Sequence, residues 1–124
     1  MSYFLRYEKR RYIFVVKNND ITSTQITSTF KAFFGKLCYN KASVRPILEH
    51  ENWVVIRVNH LYLPQLRAAV LLTGEIGDLF SLVTSGTLTG IIRSLKRRKE
   101  GQKYVQTLEL LYKAGRKNVF KKGD

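Results

Sequence analysis

The chain has 124 residues, with 22 Lys+Arg against 9 Asp+Glu for a formal charge of +13, and is 44% hydrophobic. That apolar content suffices for one core and is too high for a disordered polybasic chain, while a lone Cys38 excludes an intramolecular disulfide framework and fits a reducing compartment. No stretch approaches the roughly 18 apolar residues of a membrane span, and the N-terminus is too short in its apolar part for a signal peptide, so the expected partner is a polyanion.

Arg11-Tyr-Ile-Phe-Val-Val-Lys17 is β-branched and aromatic, stops at the turn-forming Asn18-Asn19-Asp20, and reads as a strand. Its alternation places Tyr12, Phe14 and Val16 on one face and Ile13 and Val15 on the other. A helix start follows, with Thr22 and Gln25 in capping-box positions and Ile21 and Ile26 in staple positions. Ile26, Phe30, Phe33, Phe34, Leu37 and Cys38 then continue one apolar stripe at helical spacing, which predicts a helix over 23–38 with Gly35 inside it.

Residues 42–49 and 52–59 read as two strands joined near His50-Glu51. Val54, Ile56 and Val58 share one face of the second, and Trp53, Val55 and Arg57 share the other. Pro46 assigns the first of the two to a sheet edge or a bulge. A second helix begins at Tyr62-Leu63, with Pro64 in its first turn and Gly74 at its end. Residues 79–84 form a fourth strand. A third helix carries Leu88, Ile91, Ile92 and Leu95 on its stripe and closes at Gly101. Tyr104, Val105, Leu108, Leu111 and Tyr112 mark a fourth, before Gly115 and a basic tail.

The order β-α-β-β-α-β is that of the split βαβ fold, so the expected architecture is α+β. It is a ferredoxin-like or RRM-like α/β sandwich with an antiparallel sheet and two extra C-terminal helices. One domain spans 1–124, with its core at about 11–98 and a basic helical extension over 99–124.

Charge is uneven along this plan. Residues 1–17 carry a net +4, residues 18–92 a net +1, and residues 93–124 a net +8. A balanced core with basic flanks describes a scaffold that presents charge; solubility tails are the plainer alternative. Catalytic constellations are missing. His50 and His60 are isolated from each other and from Cys38 at metal-ligand spacing, and Cys38 lies on an apolar stripe. Glu49 and Glu51 flank a turn, Glu75 and Asp78 precede a strand, and these pairs are too few for a two-metal nuclease. No phosphate-binding glycine pattern appears.

Nucleic-acid binding is better founded. Ser85-Gly86-Thr87 joins a strand to a helix through a hydroxyl-bearing turn, which serves either as a plain N-cap or as a phosphate seat. Arg93, Lys96, Arg97, Arg98 and Lys99 follow on the same helix, and Arg10 and Arg11 open the first strand; together they make the RNA-binding candidates. The strand at 53–58 lacks the glycine and paired aromatics of an RNA-recognition motif. Tyr12 and Phe14 remain open to two roles, base stacking or core packing. Phosphate contact and recognition of RNA shape fit this pattern better than base reading.

Arg11-Tyr-Ile-Phe-Val-Val16, Val55-Ile-Arg-Val58, Leu66-Arg-Ala-Ala-Val-Leu-Leu72 and Leu82-Val-Thr-Ser-Gly-Thr87 with its basic helix together resemble a known family over residues 10–98. It is the small ribonuclease P protein of archaea and eukaryotes, the protein component two or Pop-five family. The Ser-Gly-Thr turn and the Leu-Arg-Ala-Ala helix are the specific part. The resemblance implies an RRM-like sandwich in a ribonucleoprotein that removes the 5′ leader of precursor tRNA, with magnesium-dependent chemistry carried by the RNA subunit. It implies a noncatalytic protein paired with a TIM-barrel-like subunit in a two-plus-two assembly. The implied compartment is the cytoplasm in an archaeon and the nucleus or nucleolus in a eukaryote. Carried over, Ser85, Gly86, Thr87, Lys96, Arg97 and Arg98 face RNA. A ribosomal or other RNA-scaffold protein of the same fold and a stand-alone metal-dependent nuclease are the competing readings.

Overall fold

The computed structural model describes residues 9–74 and 79–123, with the side chains of Phe80 and of residues 115–123 left aside. The N-terminal run through Glu8, and the pair Glu75 and Asp78, therefore lie outside the described residues, as do the side chains of the basic tail. In order come β1 (Arg10–Lys17), α1 (Ser23–Phe34), α2 (Lys36–Ala42), β2 (Arg45–His50), β3 (Trp53–Asn59), α3 (Leu63–Thr73), β4 (Leu79–Ser85), α4 (Leu88–Arg97) and α5 (Lys99–Gly123). A short 3-10 turn, His60–Tyr62, leads from β3 into α3.

The four strands form one sheet in the order β2-β3-β1-β4, with antiparallel neighbours throughout. With β3 inserted between β1 and β2, this is the split βαβ arrangement. Pro46 sits on the edge strand beside a register shift between Pro46 and Leu48, so edge and bulge both accommodate its missing N–H.

Strand alternation divides the interior into two cores. On one face Ile13, Val15, Val54, Ile56 and Val58 are buried beneath Ile26 and Phe30 of α1 and Leu66, Ala69 and Val70 of α3. On the other, Phe14, Trp53, Val55 and Val83 lie beneath Ile91 and Leu95 of α4 and Leu108 of α5. Phe14 stacks on Trp53 with ring centroids 5.4 Å apart, and Tyr104 of α5 packs on it from above. Base stacking by Phe14 is therefore ruled out, because its ring is fully buried. Tyr12 is half-buried at the margin of the same cluster.

Two helix expectations are corrected. The helix expected over 23–38 breaks at Gly35, whose φ of 89° and ψ of 160° belong to a region that L side chains avoid. Restarting as α2 changes the phase of the stripe. Phe34 and Cys38 still pack on the first core, whereas Leu37, after the break, is mostly exposed, as is Phe33, which precedes it on α1. Nor does Gly101 close the third helix. That helix ends at Arg97, with Arg98 extended as its cap, and Gly101 is buried in the first turn of α5. A Cβ there would stand 2.8 Å from the Leu95 carbonyl oxygen and 2.9 Å from its Cα. The glycine brings the two helices together rather than stopping one. α5 itself continues past Gly115, and no helix among the described residues is long and apolar enough to cross a membrane.

Candidate nucleic-acid interface

In an antiparallel sheet of this order, the beginnings of β1 and β2 and the ends of β3 and β4 come to one side. Here that side is basic. Arg45 of β2 lies directly opposite Arg57 of β3, Arg57 opposite Tyr12 of β1, and Tyr12 opposite Ser85 of β4, so one row crosses the whole sheet. Arg10 pairs with Asn59 just beyond it. The opposite side of the sheet holds Asp20, after β1, and the β2–β3 turn with Glu49 and Glu51. A segment with nearly balanced charge in sequence is thus polarised in space.

Of the candidates named from sequence, Arg11 and the Ser85-Gly86-Thr87 turn come together, and Arg10 lies at the same sheet end. The Nη1 of Arg11 lies 3.1 Å from where a Cβ on Gly86 would stand. The neighbouring Thr84 hydroxyl accepts a hydrogen bond from Arg67 Nη2 of α3 at 3.1 Å. Inside the turn, Thr87 Oγ1 accepts from the Gly90 N–H at 2.9 Å and caps α4, while Ser85 Oγ accepts from the Thr87 N–H at 3.4 Å. Ser85 also fills the space that a side chain at Gly90 would need. The capping role is therefore real. It uses the hydroxyl oxygens as acceptors and leaves both O–H groups to donate to an anion. Gly86 and Thr87 are exposed.

The helix cations divide from this group. Arg93, Lys96, Arg97, Arg98 and Lys99 are all exposed. The last four lie at the far end of α4 and the start of α5, about 15 Å from Thr87 at the rise of an α-helix. Lys96 Nζ is engaged by Glu109 Oε1 of α5 at 3.0 Å. The ten candidates thus form a sheet-end group and a helix-end group, with Arg93 between them.

Sequence reasoning missed Lys9, Arg45, Arg57 and Arg67 as site residues, because the last three were counted into a balanced middle segment. Aligning the strand ends with β2-β3-β1-β4 pairing would have brought Arg45 and Arg57 to Arg10. Elsewhere, among the described residues, no three His, Cys, Asp or Glu side chains converge as metal ligands would, and Cys38 is a half-buried free thiol. No protein-family model matches this chain, and neither does any curated protein.

Proposed function

We propose that this protein is a noncatalytic, RNA-binding subunit of ribonuclease P, which supports the catalytic RNA in removing the 5′ leader of precursor tRNA. The observation that carries the reading is the meeting of Arg11 with the Ser85-Gly86-Thr87 turn, at a sheet end that also holds Arg10, Arg45 and Arg57. Guanidinium groups, hydroxyl donors and a helix N-terminus are the groups that contact phosphate without reading sequence. The covered sheet face favours contact with RNA shape and backbone over base stacking. In this reading the RNA binds the magnesium that hydrolysis requires, and no side chain of this chain takes part in bond breaking. A TIM-barrel-like protein subunit is the expected protein partner, in a two-plus-two assembly.

The test is cleavage of precursor tRNA by the purified protein with and without a ribonuclease P RNA. The expected result is no cleavage by the protein alone, and RNA-dependent cleavage that the protein accelerates. Cleavage by the protein alone in magnesium would overturn the reading in favour of a nuclease. Tight binding to structured RNA with no effect on RNA-dependent cleavage would favour a scaffold protein instead.

A further inference from the structure

At the basic end of the sheet, one row on the α4/α5 face is left partly open. Directly paired residues project to the same face, so Arg45, Arg57, Tyr12 and Ser85 stand side by side on β2, β3, β1 and β4. Their face is that of Phe14 and Val55, and Arg10, two residues before Tyr12, shares it. The helical cover ends at this row. Phe14 and Val55, two positions further in, are fully buried, whereas Arg45 is exposed and Arg57 and Tyr12 are partly so. At ordinary strand spacing the row is about 14 Å long.

Two observations set this row apart from a solvated basic surface. Arg45 and Arg57 oppose each other across a strand pair, an arrangement of like charges that destabilises a sheet and that an anion beside them offsets. Among the described residues neither they nor Arg10 have an ion-pair partner, and no hydrogen bond holds the Tyr12 hydroxyl. The second observation is the aromatic side chain itself, placed between these cations and the α4 N-terminus. Cations that track a phosphate backbone beside a ring that takes the flat face of any base are the parts of a single-strand binding surface.

We propose that this row is a platform for an unpaired stretch of RNA. One base stacks on Tyr12, with flanking phosphates on Arg57 and Arg45 to one side and on the Ser85-Gly86-Thr87 turn to the other. The proposal rests on the proposed function for its ligand class and narrows it, since the RNA crossing this sheet end is single-stranded. Stacking is confined to the margin, because the rest of the face lies under α4 and α5.

The test uses the full chain and a single-stranded oligoadenylate. Tyr12→Trp places a reporter ring in the row, and saturable quenching of its emission is expected as the oligomer is added. The unaltered chain, whose Trp53 is buried, is expected to show none. Tyr12→Leu keeps an apolar side chain beside the second core and removes the ring. It is expected to weaken oligoadenylate binding about tenfold with an unchanged salt slope, while Tyr12→Phe binds as the unaltered chain does. Arg57→Gln is expected to flatten that slope by about 1. Binding of a duplex RNA of the same length is expected to be indifferent to Tyr12→Leu. Binding without quenching, or equal losses for single strand and duplex, would overturn the platform and leave Tyr12 a packing residue. Quenching in a protein that does not accelerate RNA-dependent cleavage of precursor tRNA would overturn the proposed function and keep the platform. Acceleration that survives Tyr12→Leu, with no quenching in Tyr12→Trp, would do the reverse.

Discussion

Two glycines near α4 show how much a single methyl group decides. At Gly101 the obstacle to a Cβ is the backbone of Leu95, which has no cheap way to move. Gly101→Ala is expected to destabilise the protein by about 1–3 kcal/mol, read as a lower urea midpoint with an unchanged slope. At Gly86 the obstacle is the far end of the Arg11 side chain, which can swing aside. Gly86→Ala is therefore expected to leave the unfolding midpoint unchanged and weaken RNA binding, by displacing a guanidinium from the turn. Equal losses of stability and affinity would show that Arg11 is structural. Gly101 also marks a limit of legibility. Glycine after a run of basic residues is the ordinary signature of a helix end. Sequence alone does not separate that signature from a close approach, because the neighbour that requires it, Leu95, belongs to another helix.

At the scale of elements, local signals were readable and long-range ones were not. The α1 start was legible because its partners are three residues apart: the Thr22 N–H donates to Gln25 Oε1 at 2.8 Å. Ile21 and Ile26 both reach the first core, as staple positions should. Its acidic cap was not legible, because it comes from β2. Glu49 accepts hydrogen bonds from the Ser23 N–H at 2.8 Å and the Ser23 hydroxyl at 2.9 Å, so a carboxylate stands at the positive end of a helix that has no acid in its own first turn. The same carboxylate lies 3.7 Å from Lys17 Nζ, whose side chain is only 3% exposed. Glu49→Gln leaves that buried ammonium without its counter-charge. Because Glu49 is itself partly exposed, the expected cost is about 1–2 kcal/mol, measured by thermal unfolding. The alternation of β1 and β3 was readable in full, since Ile13, Val15, Val54, Ile56 and Val58 all fall in one core and Phe14, Trp53 and Val55 in the other. That α4 and α5 would close the second core was not, because an amphipathic helix names no partner for its apolar face.

At the scale of the molecule, the two features that matter are charge polarity and the doubled core. Lys96 is already neutralised by Glu109, so Lys96→Ala with Arg97→Ala is expected to flatten the logarithmic salt dependence of RNA binding by about 1 instead of about 2. An unchanged slope would place the helix-end cations away from the RNA. The doubled core is open to a fluorescence test, since Trp53 is the sole tryptophan and is 1% exposed. Leu108→Ala is expected to cost about 2–5 kcal/mol, with loss of the blue-shifted Trp53 emission at lower denaturant than in the unaltered chain. Loss of stability without earlier exposure of Trp53 would separate α5 from the second core.

The covering of the sheet by α5 also sets a timetable for synthesis. Chains leave the ribosome N-terminal end first, at about 5–20 residues per second. The first core draws on α1, α2, α3 and strands that end at Ser85, whereas Phe14 and Trp53 must wait for Leu108. For about 1–5 seconds the nascent protein therefore carries a nearly finished sheet whose aromatic face still lacks α5. During that interval Phe14, Trp53 and Val55 lack the cover that Leu108 of α5 gives them in the finished protein.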